Sequence, residues 1–291
     1  MYNIKDITNT IINGDALESL KKIPSNSIDM IMTSPPYWNM RDYGKEGQLG
    51  LENTTSEFID NLYEIFEEAK RVLKDEGTLW VNIRDTYSKG IKRCGVKNKS
   101  LCMIPERLCI KMIENGWILR NDIIWHKPNA MPDSCKDRFT VDFEHIYLFA
   151  KQEKYFFNTQ YEPFTSEHKE VKSKRNTKGK QEVLIETKMV RHGAKGTTLN
   201  SPDKWSDKGR IKRTTWSIST KPFKDAHFAT FPEELIWTPI DAGCPQNGIV
   251  LDMFMGSGTV GVVARKQDKN YIGIELNEEY IEIANKRLKD L

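Results

Sequence analysis

The stretch that decides the fold is IVLDMFMGSGTVGVVARKQDKNYIGIELN, residues 249–277. Its first apolar run predicts a buried strand, a glycine turn with Gly256 and Gly258 follows, and after a helix the chain returns to a second strand in YIGIEL. A turn of this kind lets the backbone approach a ligand closely and points the start of a helix at it. The pattern therefore predicts a nucleotide-binding βαβ unit late in the sequence.

An acidic residue ends each strand of this unit. Glu275 stands where a carboxylate can accept both hydroxyls of a ribose, and Asp252 can hold a cationic group. The turn lacks the lysine of a P-loop, which disfavours nucleoside triphosphate hydrolysis, and it lacks the third glycine of the dinucleotide fingerprint. A tight structural turn with an exposed glutamate stays open as the plainer interpretation.

Strands and helices alternate upstream of this unit. Apolar runs at 28–32 and 78–83 predict strands, and between them a helix is indicated by a capping box from Thr54 to Glu57 and by Gly77 as its stop. Such alternation predicts an α/β fold with a mostly parallel sheet covered on both faces. The other predicted elements are a helix from near Pro105 to Gly116, strands in WILRNDIIWHK and EHIYLFAK, and a final helix from about Asn277.

The charge of the chain is unevenly distributed. The 291 residues carry a net charge of +3, but residues 165–224 alone carry +10, which leaves the remainder at −7. A basic block of this kind indicates either a nucleic-acid surface or a solvated insertion, and charge alone leaves both open.

The composition also bounds the class of protein. The five cysteines form no C-x-x-C pair, which predicts reduced thiols and no zinc site. The N-terminal stretch MYNIKDITNT has no apolar core, and no segment has the uninterrupted apolar length of a membrane span. We expect a cytoplasmic protein.

The stretch TSPPYW, residues 33–38, places two prolines and two aromatic rings directly after a predicted strand. Both prolines lack an N–H, so the turn offers acceptors without donors, namely the Pro35 carbonyl and the Ser34 hydroxyl oxygen. Tyr37 adds a flat face on which a base can stack. Acceptors beside a ring suit the exocyclic amino group of a nucleobase. The amino group would attack a methyl sulfonium held by the glycine turn, a reaction that needs no metal.

These motifs together resemble the S-adenosylmethionine-dependent DNA amino-methyltransferases. TSPPYW resembles their catalytic motif, LDMFMGSGT their cofactor motif, and HFATFPEEL the segment that precedes it. The order, catalytic motif first, is that of the circularly permuted class β. The resemblance implies a Rossmann-like methyltransferase fold with a doubly wound sheet and a basic target-recognition insertion. It implies a catalytic part at 1–154, a target-recognition region at 155–225 and a cofactor-binding part at 226–291.

The resemblance also implies residue roles and partners. Ser34 and Pro35 would bind the target amino group, Pro36 would shape the turn, and Tyr37 would stack on a flipped base. S-adenosylmethionine would be the cofactor and double-stranded DNA the substrate, with a homodimer and a separately acting restriction endonuclease as possible partners. Expected cofactor contacts are Asp15, Phe228, Phe231, Asp252, Phe254, Gly256, Ser257, Gly258, Thr259 and Glu275. Expected DNA contacts are Lys172, Lys174, Arg175, Lys178, Lys180, Arg210, Lys212 and Arg213.

The first residue of the catalytic motif bears on the target base. In the family a serine goes most often with cytosine N4 and an aspartate with adenine N6, so Ser34 favours cytosine N4, with adenine N6 as the alternative. A serine hydroxyl can donate as well as accept, so it could also meet the ring N3 of cytosine.

Other classes of protein are weighed on the motifs they require. A zinc deaminase needs an H-x-E motif together with a P-C-x-x-C motif, and the sequence has no P-C-x-x-C. Cytosine C5 methylation needs a cysteine in a Pro-Cys setting, whereas Cys244 precedes its proline. A protein or ribosomal-RNA methyltransferase is disfavoured by Ser34 and the basic insertion. A non-catalytic DNA-binding module would leave the glycine turn and Glu275 without a role.

Several other residues have plainer interpretations. We expect three tryptophans in the core and structural roles for two histidines. Trp38 either walls the target pocket or packs under it. Arg138 and Glu144 would support the catalytic turn or contact the DNA backbone. The three tryptophans and two histidines are Trp80, Trp117, Trp125, His126 and His227.

Overall fold

The computed structural model describes residues 1–40, 42, 44, 47–163, 209–221 and 231–291. The chain divides into two compact units, one of Met1–Thr159 with Arg213–Leu291 and one of Gln160–Lys212. In the second unit the described residues form a two-stranded antiparallel ribbon. The predicted boundaries of the target-recognition region, at 154/155 and 225/226, stay a prediction, because most of residues 155–225 lie outside the described residues.

The structure has ten strands and eight helices in its described parts. The strands are β1 Thr10–Asn13, β2 Ile28–Thr33, β3 Leu73–Ile83, β4 Ile118–His126, β5 Phe143–Ala150, β6 Tyr161–Glu162, β7 Arg210–Ile211, β8 Thr215–Ser217, β9 Ile249–Asp252 and β10 Asn270–Glu275. The helices are α1 Ile4–Ile7, α2 Ala16–Leu20, α3 Thr55–Val72, α4 Ile91–Cys94, α5 Ile104–Glu114, α6 Glu233–Gly243, α7 Thr259–Lys266 and α8 Glu278–Lys289.

Eight strands of the first unit form one sheet in the order β1-β10-β9-β2-β3-β5-β4-β8. All neighbours are parallel except β5, which runs antiparallel to both β3 and β4. The predicted mostly parallel sheet is therefore confirmed. Because the parallel strands all end at one edge, the turns that follow them meet there, and β5 begins at that same edge.

Each face of the sheet is covered by its own apolar core. Side chains alternate along a strand, so Ile31 of β2 packs with the core on the α2, α3 and α5 side, while Met30 and Met32 pack with α6 and α7. The doubly wound architecture is thereby confirmed, as is the burial of Trp80, Trp117 and Trp125.

Helix α3 begins as the sequence predicts and ends earlier. Thr54 and Glu57 form both bonds of the capping box, but the helix ends at Val72 and Gly77 lies inside β3. The prediction that Gly77 stops the helix is wrong. A Cβ at Gly77 would lie 2.6 Å from the Leu73 side chain and 2.9 Å from the Asp29 carbonyl oxygen. The glycine is there because β2 and the chain at the start of β3 pass too closely for a side chain.

The strand predicted at 78–83 begins earlier, at Leu73, and the other predicted elements are present within a residue or two. Helix α5 runs from Ile104 to Glu114, and α8 follows Asn277, whose side chain caps it. The last βαβ unit is formed by β9, α7 and β10. None of the helices in the described ranges is both long and apolar enough to cross a membrane. All five cysteines carry free thiols.

Candidate active site

A cavity of about 850 Å³ opens at the edge of the sheet where the parallel strands end. Ligands of doubly wound sheets bind at this edge, because the loops that follow the strands diverge there. The lining brings together residues that lie far apart in the sequence. Twelve of the predicted site residues line it: Asp15, Ser34, Pro35, Pro36, Tyr37, Phe231, Asp252, Phe254, Gly256, Ser257, Thr259 and Glu275.

Other predicted site residues lie elsewhere. Phe228 and the predicted DNA contacts between 172 and 180 are outside the described residues. Arg210 pairs with Glu162 at 2.8 Å in the ribbon of the second unit, where the Lys212 N–H also donates to the Gln160 carbonyl. Arg213 belongs to the first unit, and its carbonyl accepts the Trp216 indole N–H at 2.6 Å.

Glu275, at the end of β10, is held by two backbone donors. Its Oε2 accepts the Gly256 N–H at 2.7 Å and its Oε1 the Asn277 N–H at 2.8 Å. Burial raises the pKa of the carboxyl, and the two N–H groups oppose that rise by favouring the charged form. Each carboxylate oxygen keeps a further lone pair, so Glu275 can still accept two hydroxyls from a ligand in the cavity.

Asp252, at the end of β9, is buried. Its Oδ1 accepts the Thr33 hydroxyl at 2.7 Å and the Phe254 N–H at 3.0 Å. Burial raises the pKa of this carboxyl to about 7, more than those two bonds lower it. A cation beside Asp252 would therefore strongly favour its ionised form.

The two glycines of the turn serve different purposes. Both have positive φ, +50° at Gly256 and +81° at Gly258. Gly256 lines the cavity, where a Cβ would find no atom nearer than the Phe254 carbonyl oxygen at 3.9 Å. A Cβ at Gly258 would lie 2.8 Å from that of Ala284 in α8. Gly258 thus faces the packing of α8, and Gly256 keeps the cavity wall open.

Asp15 occupies a helix end at the rim of the cavity. It is the N-cap of α2, where its Oδ1 accepts the Glu18 N–H at 2.9 Å. The side chain therefore has a structural role that the sequence pattern did not indicate.

The turn at residues 34–37, which the sequence predicts to be catalytic and which is called the catalytic turn below, follows β2 and rests on Trp38. Trp38 is buried, donates its indole N–H to the Glu52 carbonyl at 3.1 Å, and lies under the Arg93 guanidinium at 5.5 Å from the ring centroid. Of the two interpretations of Trp38, the structure favours packing under the turn.

Behind the turn, donors converge on the buried carboxylate of Glu144. Its Oε2 accepts the Tyr37 hydroxyl at 2.7 Å and the Asn82 amide at 3.1 Å, and its Oε1 accepts the Lys127 ammonium. Lys127 also lies 4.2 Å from the Trp125 ring centroid. Glu144 therefore supports the catalytic turn, which is the first of the two roles, support of the turn or contact with the DNA backbone, that the sequence left open.

The same contacts orient the Asn82 side chain. Its amide nitrogen donates to Glu144 and also to the His145 carbonyl at 3.1 Å, so its oxygen faces the turn. That oxygen lies 3.5 Å from the Ser34 hydroxyl and 3.3 Å from the Tyr37 hydroxyl. Burial and the Glu144 charge raise the pKa of Tyr37 well above its ordinary value, so Tyr37 keeps its proton and acts as a donor.

Arg138 and His126 lie outside the cavity lining. Arg138 stacks on Tyr87 at 3.7 Å and pairs with Asp133 at 2.5 Å, which braces the loop between β4 and β5. His126 Nδ1 lies 2.9 Å from the Ser217 hydroxyl in β8, a structural contact as expected. His227 lies outside the described residues.

The cavity residues that sequence patterns did not single out include Asn82, Arg84 and Lys127, and Glu144 was named with two alternative roles. The sequence features that could have indicated these residues were weak. Asn82 is a polar residue in the otherwise apolar run TLWVNI, and Glu144 stands at the start of a predicted strand. Neither feature specifies a partner.

Comparison with known proteins identifies the class. The family model N6_N4_Mtase, described as "DNA methylase", matches residues 28–286. The chain belongs to this DNA methylase family. Its catalytic turn precedes its glycine turn, which is the permuted order of class β, and the cofactor is S-adenosylmethionine.

Similar proteins cover nearly the whole methylase. The type II methyltransferase M.Cfr9I of Citrobacter freundii is 42% identical over 96% of this chain and 87% of that protein. The PvuII DNA methyltransferase, described as cytosine-N4-specific, shares the fold with a TM-score of 0.66 at 22% identity, over 95% of this chain and 85% of that one. TTHA0409 of Thermus thermophilus, solved with S-adenosyl-L-methionine, has a TM-score of 0.61 at 21% identity over 97% and 95% of the two chains.

The cavity of the methylase fits this cofactor. Glu275 can accept the ribose hydroxyls, Gly256 leaves the wall open beside it, and Asp252 supplies a carboxylate for a cationic group. Asp252 and Glu275 end β9 and β10, and Gly256 follows β9, so we expect the cofactor half of the cavity on that side of the catalytic turn.

We expect Asp252→Asn to have opposite effects on folding and on cofactor binding. Folded Asp252 keeps its proton up to about pH 7, whereas the unfolded chain releases it near the ordinary value of 3.8. The folded state therefore binds more protons between these values, and stability falls as the pH rises through this window, by on the order of a few kcal/mol. Urea unfolding should show this fall in the wild type and a flatter profile in the variant.

Cofactor affinity should increase with pH, whereas stability decreases. Calorimetric titration with S-adenosylmethionine should show wild-type affinity increasing through about pH 7 as Asp252 ionises, and a weaker, flatter affinity for Asp252→Asn. Parallel pH profiles for the two proteins would contradict this role of Asp252.

Alanine at the two glycines should separate binding from stability. Gly256→Ala strains the backbone by about 1 kcal/mol and adds a methyl group at the cavity wall, so we expect weakened cofactor binding. Gly258→Ala also crowds Ala284, so we expect a stability loss of about 3 kcal/mol. Urea unfolding and cofactor titration of both variants make the comparison, and equal effects on both quantities would refute it.

Proposed function

We propose that this DNA methylase transfers a methyl group to the N4 amino group of a flipped-out cytosine within a specific duplex sequence. The observation that carries methyl transfer to an amino group is the pair of acceptors formed by the Ser34 hydroxyl oxygen and the Pro35 carbonyl, backed by the contacts of Glu144. Adenine N6 is the second candidate, since the family name covers both amino groups.

The acceptors of the turn suit an amino group. Pro35 and Pro36 have no N–H, so the Pro35 carbonyl and the Ser34 oxygen are the groups offered to a ligand. Two acceptors that grip both N–H bonds of a conjugated amine favour a tetrahedral nitrogen, which exposes its lone pair.

The hydrogen-bond chain behind the turn decides how Ser34 acts. Its hydroxyl faces Tyr37 Oη at 3.4 Å and Asn82 Oδ1 at 3.5 Å, and both accept from it because the Tyr37 hydroxyl donates its own hydrogen bond to Glu144. These bonds are long, as catalytic hydrogen bonds often are before substrate tightens them. With its proton directed inward, Ser34 presents lone pairs to the cavity.

Tyr37 supplies the stacking face. Its hydroxyl is fixed by Glu144, so the ring has little freedom to rotate, and a base that stacks on it gains roughly 1–3 kcal/mol. A ring fixed in advance costs less entropy on binding than a free one.

The reaction needs positioning more than acid or base catalysis. S-adenosylmethionine supplies an electrophilic methyl group on a sulfonium sulfur. Ser34 and Pro35 would direct the amino lone pair toward the cofactor half of the cavity, where the bound cofactor would give up its methyl group and leave as a neutral sulfide, and the extra proton on nitrogen would pass to solvent. Orientation of this kind can account for about 7–11 kcal/mol of barrier reduction.

Support for cytosine comes from two sources. Family members with serine at the position of Ser34 most often modify cytosine N4, and the PvuII enzyme shows that this fold accommodates that substrate. Ser34 itself, as an acceptor, would grip the amino group of either base, so discrimination must come from another residue.

Binding to DNA is proposed to involve the basic stretch at 155–225. The lysines and arginines predicted there, from Lys172 to Arg213, would neutralise phosphates and position the groove-reading loops. A paired restriction endonuclease is proposed by analogy with the type II relatives. Homodimerisation and a cytoplasmic location stay predictions.

Mass spectrometry of nucleosides from host DNA tests the function directly. A host that expresses the wild-type protein should accumulate N4-methylcytosine, and a host that expresses Ser34→Ala should not. Purified Ser34→Ala should keep its affinity for S-adenosylmethionine, because Ser34 acts on the base. N6-methyladenine in place of N4-methylcytosine would overturn the choice of base, and loss of cofactor binding by Ser34→Ala would overturn the assigned role. Single-molecule sequencing of the same DNA locates the methylated site.

Glu144→Gln should lower kcat about 100-fold with an unchanged KM for S-adenosylmethionine, because Asn82 and Ser34 lose their fixed orientation. The variant leaves Lys127, whose side chain is 16% exposed, without its counter-charge, which by itself destabilises the fold. The double variant Glu144→Gln, Lys127→Met should recover stability without recovering kcat. Recovery of both would reduce Glu144 to a structural role.

A further inference from the structure

One cationic side chain at the cavity has no counter-charge among the described residues. Three described cationic side chains line it: Lys127 pairs with Glu144, and Lys221 pairs with Glu234 at 2.5 Å. The guanidinium of Arg84 has neither an ion-pair nor a hydrogen-bond partner among the described residues. A half-buried, unpaired arginine keeps five N–H donors available for a ligand.

The sheet places Arg84 on the side of the cavity where the target base would lie. Arg84 directly follows β3, and Asn82, two residues earlier, faces the catalytic turn. Because successive side chains of an extended strand alternate, Arg84 leaves the strand on the same side as Asn82, one step nearer the cavity. The residues expected to hold the cofactor follow β9 and β10, beyond β2 on the opposite side of the turn.

Electrostatics agree with this placement. The positive charge of Arg84 acts on the Tyr37 hydroxyl, where it lowers the pKa against the larger effects of burial and Glu144. Arg84 and Tyr37 line the same cavity, and the Arg84 charge is within electrostatic range of the Tyr37 hydroxyl.

The two candidate bases differ in what they offer such a group. Beside its N4 amino group, cytosine carries two consecutive acceptors, N3 and O2. Beside its N6 amino group, adenine carries the acceptor N1 and then a C–H. A guanidinium presents two parallel N–H donors, which match two neighbouring acceptors and not one.

We propose that Arg84 binds N3 and O2 of the flipped cytosine and so selects cytosine over adenine. The proposal rests on the proposed N4 methylation. Ser34 and Pro35 then hold the amino group, Tyr37 stacks on the ring, and Arg84 reads the acceptor edge. Arg84 is a specificity residue in this account, and it takes no part in moving protons.

A double-mutant cycle between enzyme and substrate tests the contact. The substrates are synthetic duplexes of the mapped site with either cytosine or 3-deazacytosine at the target position, the latter replacing N3 by C–H. The enzymes are the wild type, Arg84→Gln and, as a control for loss of one positive charge, Arg107→Gln on the exposed face of α5.

With the wild type, we expect 3-deazacytosine to lower kcat/KM by about tenfold to a hundredfold through the lost contact, in addition to any change in the intrinsic reactivity of the amine. Arg84→Gln should lower kcat/KM on cytosine by a similar factor. With this variant, replacing cytosine by 3-deazacytosine should change kcat/KM only through the difference in intrinsic reactivity of the amine. Arg107→Gln should respond to the analogue as the wild type does. All three should bind S-adenosylmethionine equally, which verifies folding.

Additive losses in the cycle would overturn the proposal. Weaker DNA binding by Arg84→Gln, with the slope of log binding constant against log salt concentration reduced by about one, would also overturn it. That result would mean that Arg84 contacts a phosphate of the DNA backbone. Mass spectrometry of the products separates these outcomes from failure of the proposed function. N6-methyladenine as the product refutes cytosine N4 methylation itself, whereas N4-methylcytosine with an additive cycle refutes only the role of Arg84.

Discussion

The buried carboxylate of Glu144 is the interaction on which the candidate active site depends. It receives donors from Tyr37 after β2, Asn82 in β3 and Lys127 after β4, and it lies itself in β5. Desolvating such a charge costs several kcal/mol unless it is paired and hydrogen-bonded, and here both conditions are met. Its value lies in specificity of geometry: the carboxylate fixes the tyrosine ring and the Asn82 amide, and through Asn82 it directs the proton of Ser34.

The sheet topology explains how a glutamate reaches this position. Loops at the carboxyl edge of a parallel sheet are not hydrogen-bonded to one another as the strands are, so each must be held in place by contacts of its own. Strand β5 runs antiparallel between β3 and β4, so it begins at the edge where its neighbours end. Glu144 is the second residue of that strand, and the register places it opposite Trp125, two residues before Lys127. One reversed strand thus delivers a rigidly held acceptor to the back of the catalytic turn.

The sequence predicted the local parts of this arrangement well, because they are encoded by neighbouring residues. The βαβ unit at 249–277 and the capping box at Thr54 have signals within a few positions. The acceptor-only character of the turn follows from Pro35 and Pro36 alone. Twelve predicted site residues meet in one cavity because motifs at strand ends converge in a parallel sheet.

What the sequence could not predict depends on packing between distant segments. Gly77 looked like a helix stop, but it is needed where β2 and the start of β3 approach closely. Gly256 and Gly258 are equivalent in the sequence pattern, but in the structure Gly258 packs against α8 and Gly256 faces the cavity. Helix α6 contains Pro239, which argues against a helix locally, although tertiary packing maintains it. The Glu144 contacts join residues up to 107 positions apart, and no spacing rule covers them.

The central claim is that Ser34 acts toward the base only as an acceptor, because its O–H donates to Asn82 Oδ1 and Glu144 holds the Asn82 amide in place. A crystal structure of the methylase with S-adenosylhomocysteine and a duplex containing the methylated site tests this most directly. We predict the exocyclic nitrogen of the flipped base at about 2.7–3.2 Å from both Ser34 Oγ and the Pro35 carbonyl oxygen, with the Ser34 to Asn82 Oδ1 distance shortened into the same range. A Ser34 hydroxyl turned away from Asn82 to donate to a ring nitrogen would contradict the account.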